Sequence, residues 1–133
     1  MKIAIIGYGR FGKLLSGILA PYGEIFISEK KPIRDKSINL IQQKELILMD
    51  WVILAVPISE LEKILEDIKP HLKKGCLVMD VSSVKVHPCR WLKRHLPRQV
   101  EILGTHPMFG PDSAKDGLEG LKIVVCPIRI SSN

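Results

Sequence analysis

With 133 residues, 46% of them hydrophobic and 26% charged, the chain has room for one buried core but not two, and its composition is neither disordered nor fibrous. A formal charge of +6 admits a nucleic-acid face, whereas no apolar run approaches the roughly eighteen residues that span a bilayer. The three cysteines, Cys76, Cys89 and Cys126, form no CxxC pair, so they argue against a disulfide framework or a zinc site and for reduced thiols. The opening MKIAIIG shows no leader with a cleavage site, and the cytoplasm is the expected location.

Apolar runs alternate with segments of helical period, the pattern of βαβ units around a parallel sheet. Lys2 to Ile6 is the first predicted strand. Phe11, Leu14, Leu15, Ile18 and Leu19 then recur at i, i+3, i+4, i+7 and i+8, the buried stripe of a helix that Pro21 and Gly23 close. Ile25 to Ser28 is a second strand. Beyond it KKPIRDKS reads as an exposed loop, while INLIQQKELILMD fits a short strand, a helix, or one followed by the other. Trp51 to Val56, apolar throughout and stopped by Pro57, fits a central strand buried on both faces.

The helix after Pro57 carries the spacing of a capping box, Ser59 with Glu62, and a stripe of Leu61, Ile64, Leu65 and Ile68 before Pro70 ends it. Leu77 to Val81 is the next strand. Pro88 suits the first turn of a further helix that turns Trp91, Leu92 and Leu96 inward and stops at Pro97. Val100 to Leu103 and Ile123 to Cys126 bring the set to at least six strands. No repeat or linker marks a second domain, so the expectation is one dinucleotide-binding domain over 1–133: α/β, Rossmann-type, doubly wound, with a mostly parallel sheet of about six strands.

KVHPCRWLKRHLPR, 85 to 98, holds Lys85, Arg90, Lys93, Arg94 and Arg98 and no acid. No RNP, KH or zinc-finger pattern accompanies it, so it reads as a solvated helix face rather than a nucleic-acid surface.

GYGRFG follows a strand and opens a helix, the context that gives a GxGxxG its meaning. Gly7 permits the tight turn, Gly9 lets backbone approach a pyrophosphate, Gly12 lets helix pack on strand, and the helix start offers N–H groups and a positive dipole end. Arg10 and Phe11, at that helix start, join them as candidate cofactor contacts. Gly7, Gly12 and Lys13 nearly satisfy the phosphate loop GxxxxGK[ST], but Leu14 stands where a magnesium-binding hydroxyl is needed. Glu29, at the end of the second strand, is placed to meet an adenosine ribose. A carboxylate there accepts from the 2′ and 3′ hydroxyls and favours NAD, while Lys30, Lys31 and Arg34 offer charge for a 2′-phosphate and keep NADP as the alternative. AVPIS, 55 to 59, ends a strand at the same edge, so backbone at Val56 and Pro57 should face the cofactor.

MDVSSVK (79–85) and LGTHPMFGP (103–111) end two further strands on that crevice. Together with GYGRFG and AVP, these segments closely resemble the nucleotide-binding domain of the prephenate and arogenate dehydrogenase family of tyrosine biosynthesis, over nearly the whole chain. The plant arogenate dehydrogenases look most alike, in THPMFGP and in KIVVCPIRI. The resemblance implies oxidative decarboxylation of prephenate or arogenate, with a nicotinamide cofactor taking the hydride. On the matching positions it makes His106 the group that helps remove the ring-hydroxyl proton and Ser83 its orienting neighbour; an imidazole, with its ordinary pKa of about 6.5, suits that task.

His71, His87 and His95 read as structural or solvated, Asp80 as a strand-end carboxylate or a partner for backbone donors, and Lys85 as a loop anchor. No metal site is expected. The family's C-terminal helical domain, which makes the dimer and binds the substrate carboxylates, is absent from these 133 residues. That leaves a helical partner domain or a homodimer as the expected partner besides the small-molecule substrate, and a non-catalytic, dinucleotide-sensing module as the alternative function.

Overall fold

A computed structural model of the chain describes residues 1–131. Its strands are β1 (Lys2–Ile6), β2 (Glu24–Ser28), β3 (Trp51–Leu54), β4 (Leu77–Asp80), β5 (Glu101–Pro107) and β6 (Ile123–Arg129). They form one sheet in the order β2-β1-β3-β4-β5-β6, parallel except for β6, which runs antiparallel to β5. Three helices connect them: α1 (Arg10–Leu19), α2 (Ile58–Ile68) and α3 (Val86–His95).

The central strands β1 and β3 are buried on both faces, as in a doubly wound sheet, whereas the edge strand β6 is largely exposed. Successive side chains of a strand point to opposite faces, and β1 shows it: Ala4 and Ile6 join one core, Ile3 and Ile5 the other. The first core packs Val52, Leu54, Val78 and Ile102 against Leu61, Ile64, Leu65 and Ile68 of α2 and Leu92 of α3. The second packs Ile27 and Ile53 against Leu15 of α1, with Phe11 and Leu19 at its margin.

Three expectations change. The Ser59–Glu62 capping box does not form: Pro57 is the N-cap residue of α2, its carbonyl accepts the Glu60 N–H at 2.9 Å, and Ser59 lies inside the first turn. The ambiguous 30–50 segment is neither a full strand nor an α-helix. Leu40 makes an isolated parallel bridge to Ile27, and Gln43–Leu48 is a 3-10 turn with its own capping box between Gln42 and Glu45. The strand predicted over 100–103 runs on through Pro107, because β6 pairs with it and supplies partners as far as Pro107↔Ile123. His106, three residues past the expected end of that strand, is therefore a strand residue paired with Val124.

Candidate functional site

The carboxyl ends of β1, β3, β4 and β5 share one edge of the sheet. Strand order reverses between β1, which leads to β2 on one side, and β3, which leads toward β4 and β5 on the other. Open α/β sheets bind ligands at such a switch point. A cleft of two lobes lies there. The first, of about 880 Å³, is walled by Gly7, Tyr8, Gly9, Lys13, the 28–35 segment, Gln43, Val56, Pro57 and Glu60. The second, of about 570 Å³, is walled by Arg10, Phe11, Gly12, Ile58, the 81–84 segment, Pro107 and Phe109. Gly9, Ala55 and Val56 line both and make the cleft continuous.

The three glycines of the first loop differ in what constrains them. Gly7 has φ +97°, and a Cβ on it would lie 2.3 Å from the Ala55 carbonyl oxygen. A Cβ on Gly12 would lie 2.2 Å from the Gly7 carbonyl oxygen. Both are demanded by the protein's own backbone. At Gly9 a Cβ would meet nothing within 4 Å, and the backbone is extended, with φ −73° and ψ −168°. Packing gives no steric reason for a glycine there; as the N-cap of α1 the position favours glycine over alanine, and it leaves the backbone open to a ligand. No side chain caps α1 and its first turn has no acidic residue, so its N–H groups and positive dipole end face the cleft uncompensated.

Glu29 closes the far side of the first lobe. One carboxylate oxygen accepts the Tyr8 N–H at 2.8 Å, and the other accepts the N–H groups of Lys30 and Lys31 at 2.7 and 3.1 Å. Burial pushes this carboxyl up, but the hydrogen bonds from Tyr8, Lys31 and Lys30 outweigh it and hold the group below its usual 4.5. The side chain thus ties the glycine loop to the end of β2. A carboxylate has about four acceptor positions, and with three taken about one remains for a ribose hydroxyl.

At the other end, β4 and β5 are locked together by a buried ion pair. Lys85 donates to Asp80 Oδ2 at 2.5 Å and to the Thr105 carbonyl at 2.6 Å, while Thr105 Oγ1 donates to the Asp80 carbonyl at 2.6 Å. Asp80 is fully buried, and its Oδ1 has no hydrogen-bond partner among the described residues. The Ser82 N–H donates to Oδ2 at 3.1 Å. The loop that carries Ser83 is thereby fastened to the residue preceding His106. Lys85, grouped in sequence with the basic run, turns inward as an anchor; Arg90, Lys93, Arg94 and Arg98 form the exposed part.

Every candidate cofactor residue lines the cleft: Gly7, Gly9, Glu29, Lys30, Val56 and Pro57 in the first lobe, and Arg10, Phe11 and Gly12 in the second. Ser83 lines the second lobe as well. His106 does not. It is half-buried on β5, on the opposite face of the strand from Pro107, and its imidazole has no hydrogen-bond partner among the described residues. The sequence pattern brings it to the strand next to the cleft without making it part of the cleft's wall.

Two contacts escaped the sequence reading. Arg10 makes an ion pair with Asp112 at 2.8 Å, and the rings of Phe11 and Phe109 meet with centroids 6.2 Å apart. Residues about a hundred positions apart carry no spacing signal, so nothing local announces such a pairing. His95, expected to be structural, bridges α3 to α2 through Glu62, at 2.8 Å, and Glu66. His87 stacks beside Trp91, and neither Trp91 nor Trp51 lines the cleft. Burial pushes the Cys76 thiol up to about 12, which keeps it an unreactive core group. Among the described residues no group of three or more His, Cys, Asp or Glu is placed to hold a metal, and no helix is long and apolar enough to cross a membrane.

Comparison with known proteins shows the family and the fold. A family model described as the prephenate dehydrogenase nucleotide-binding domain matches residues 29–132. Arogenate dehydrogenase 2, chloroplastic, from Arabidopsis thaliana is 34% identical over 98% of this chain and 39% of its own length. The chain therefore spans well under half of that relative. Among solved structures, Synechocystis arogenate dehydrogenase superposes with a TM-score of 0.73 at 24% identity, over 96% of this chain and 50% of that one. Prephenate dehydrogenase from A. aeolicus, in complex with hydroxyphenyl propionate and NAD+, superposes with a TM-score of 0.78 at 20% identity over the same shares. At those identities the two structures show a shared fold.

Proposed function

This chain belongs to the prephenate dehydrogenase family, as its nucleotide-binding domain, and from that premise we propose that residues 1–133 act as one dinucleotide-binding domain serving the oxidative decarboxylation of prephenate or arogenate. The observation that carries the cofactor part is Gly9: a glycine whose Cβ position no protein atom crowds, at the uncapped start of α1 where the two lobes of the cleft join.

In this reading the pyrophosphate lies against Gly9 and the start of α1, where N–H groups and the helix dipole favour negative charge. The adenosine half would occupy the first lobe, with Glu29 accepting from a ribose hydroxyl through its remaining acceptor position and Lys30 flanking it. Val56 and Pro57 cover the middle. Phe11, Pro107 and Phe109 exclude water from the second lobe, which takes the nicotinamide. A nicotinamide held there would supply the acceptor for the hydride that leaves C4 of the substrate ring. As it does so the ring hydroxyl must lose its proton, and the ring carboxylate departs as carbon dioxide, leaving an aromatic ring. His106 takes the proton from the hydroxyl, and Ser83, fastened through the Asp80–Lys85 anchor, orients the hydroxyl toward it. Because His106 lines neither lobe, this role requires a substrate that approaches from outside the cofactor cleft. The substrate carboxylates would then be met by cations of a helical partner domain or of a second copy.

Glu29 supports NAD over NADP: its carboxylate is held in the ionised form at the ribose end, where it opposes a 2′-phosphate. Calorimetric titration with NADH and NADPH in parallel tests the reading. NADH should bind saturably in the micromolar range and more tightly than NADPH. The absence of saturable binding of either at millimolar concentration would sink the dinucleotide site, and the reverse order would sink the choice of NAD.

A further inference from the structure

Arg10 has two claims on its charge. It is the first residue of α1, directly after Gly9, and lines the second lobe. It also reaches across the cleft mouth to Asp112, 102 positions away, with its guanidinium 2.8 Å from Oδ1. The pairing is not an isolated surface contact. The next residue, Phe11, meets Phe109 of the same loop, so two neighbours at the start of α1 hold two residues just beyond β5. Asp112 is presented by an ordered turn: the Gly110 N–H donates to Ser113 Oγ at 2.9 Å and the Ala114 N–H to the Gly110 carbonyl at 2.9 Å. The Met108 N–H closes the base of the loop on the Lys122 carbonyl at 2.9 Å.

We propose that Asp112 sets the affinity of the dinucleotide site through Arg10, holding the guanidinium when the cleft is empty and yielding it to the pyrophosphate when cofactor binds. The inference rests on the cofactor reading above. A carboxylate paired with Arg10 weakens anion binding because it occupies the cation best placed to follow the phosphates. Both side chains are largely exposed, 72% for Arg10 and 87% for Asp112, so the pair has the strength of a surface ion pair and is readily outbid by a diphosphate at a helix N-terminus. Asp112 thus acts as a positioning residue that makes no contact with the cofactor itself.

The test is a double-mutant cycle on the full chain with NADH as probe. Asp112→Asn should tighten NADH binding about two- to five-fold at low salt, the range a surface ion pair spans, with the gain fading as salt rises. Arg10→Gln should weaken binding and remove the effect of Asp112→Asn, whereas Asp112→Glu should bind as the wild type does. A tighter Asp112→Asn that loses its advantage beside Arg10→Gln supports the proposal. Unchanged or weaker binding by Asp112→Asn, or a gain that survives in the double variant, overturns it while leaving the cofactor site intact. A wild-type chain that binds neither NADH nor NADPH overturns both.

Discussion

Placing alanine in turn at Gly7, Gly9 and Gly12 separates what the fold demands from what a ligand demands. At Gly12 the new carbon would sit 2.2 Å from the Gly7 carbonyl oxygen, so α1 would have to retreat from the β1 end; overpacking of backbone on backbone costs about 1–3 kcal/mol or more. At Gly7 a similar clash, 2.3 Å from the Ala55 oxygen, adds to a φ of +97° that costs an L-residue about 1–2 kcal/mol, for about 3 kcal/mol together. That is a large share of the roughly 5–15 kcal/mol available to a domain. At Gly9 the carbon meets open space at an ordinary φ. Alanine gains about 0.4–1 kcal/mol from a stiffer unfolded chain and forfeits a comparable amount as a poorer N-cap, so stability should change by less than about 0.5 kcal/mol. Its cost falls on the ligand. A methyl between the loop and a pyrophosphate breaks at least one charge-assisted hydrogen bond of about 1.5–3 kcal/mol, weakening NADH about ten- to a hundred-fold. Urea unfolding followed by tryptophan emission reads the first quantity and calorimetric titration the second. Gly9→Ala as unstable as Gly12→Ala, or as tight for NADH as the wild type, would refute the reasoning.

Two other perturbations address the anchors at either end of the cleft. The folded Glu29 carboxyl lies below 4.5, so its ionised form stabilises the fold above that pH and the contribution is lost as pH falls through the folded value; urea midpoints of the wild type and Glu29→Gln should converge below pH 4.5, and a difference that stays constant with acid would contradict the assignment. Lys85→Met leaves the fully buried Asp80 without its cation and should cost about 3–5 kcal/mol in the same unfolding assay. A loss under about 1 kcal/mol would show that the pair does not fasten β4 to β5.

Much of the cleft was legible in the sequence because its determinants are local. GYGRFG between a strand and a helix specifies a loop, a dipole and an open backbone within six consecutive residues. The apolar runs specify strands buried on both faces, and the 3.6-residue stripe of Leu61, Ile64, Leu65 and Ile68 specifies which side of α2 turns inward. The 30–50 segment was not legible, since a bridge of one residue and a 3-10 turn carry too few hydrogen bonds to impose a period. The Ser59–Glu62 box misled for a related reason. The spacing was right, but Pro57 started the helix early, leaving Ser59 in the first turn and Glu62 to pair with His95.

From its own letters the chain determined its α/β class, the glycine loop and the strand ends that meet at the switch point, because hydrophobic period and turn chemistry act between near neighbours. Tertiary packing decided the rest. The antiparallel arrival of β6 extended β5 through His106, and packing chose Asp80 and the Thr105 carbonyl as the groups that Lys85, read from sequence as a loop anchor, holds. The Arg10–Asp112 and Phe11–Phe109 contacts exist only once the sheet brings the β5–β6 loop over the start of α1. Such pairings join residues about a hundred positions apart, and their energies depend on distance and burial, which no local spacing encodes.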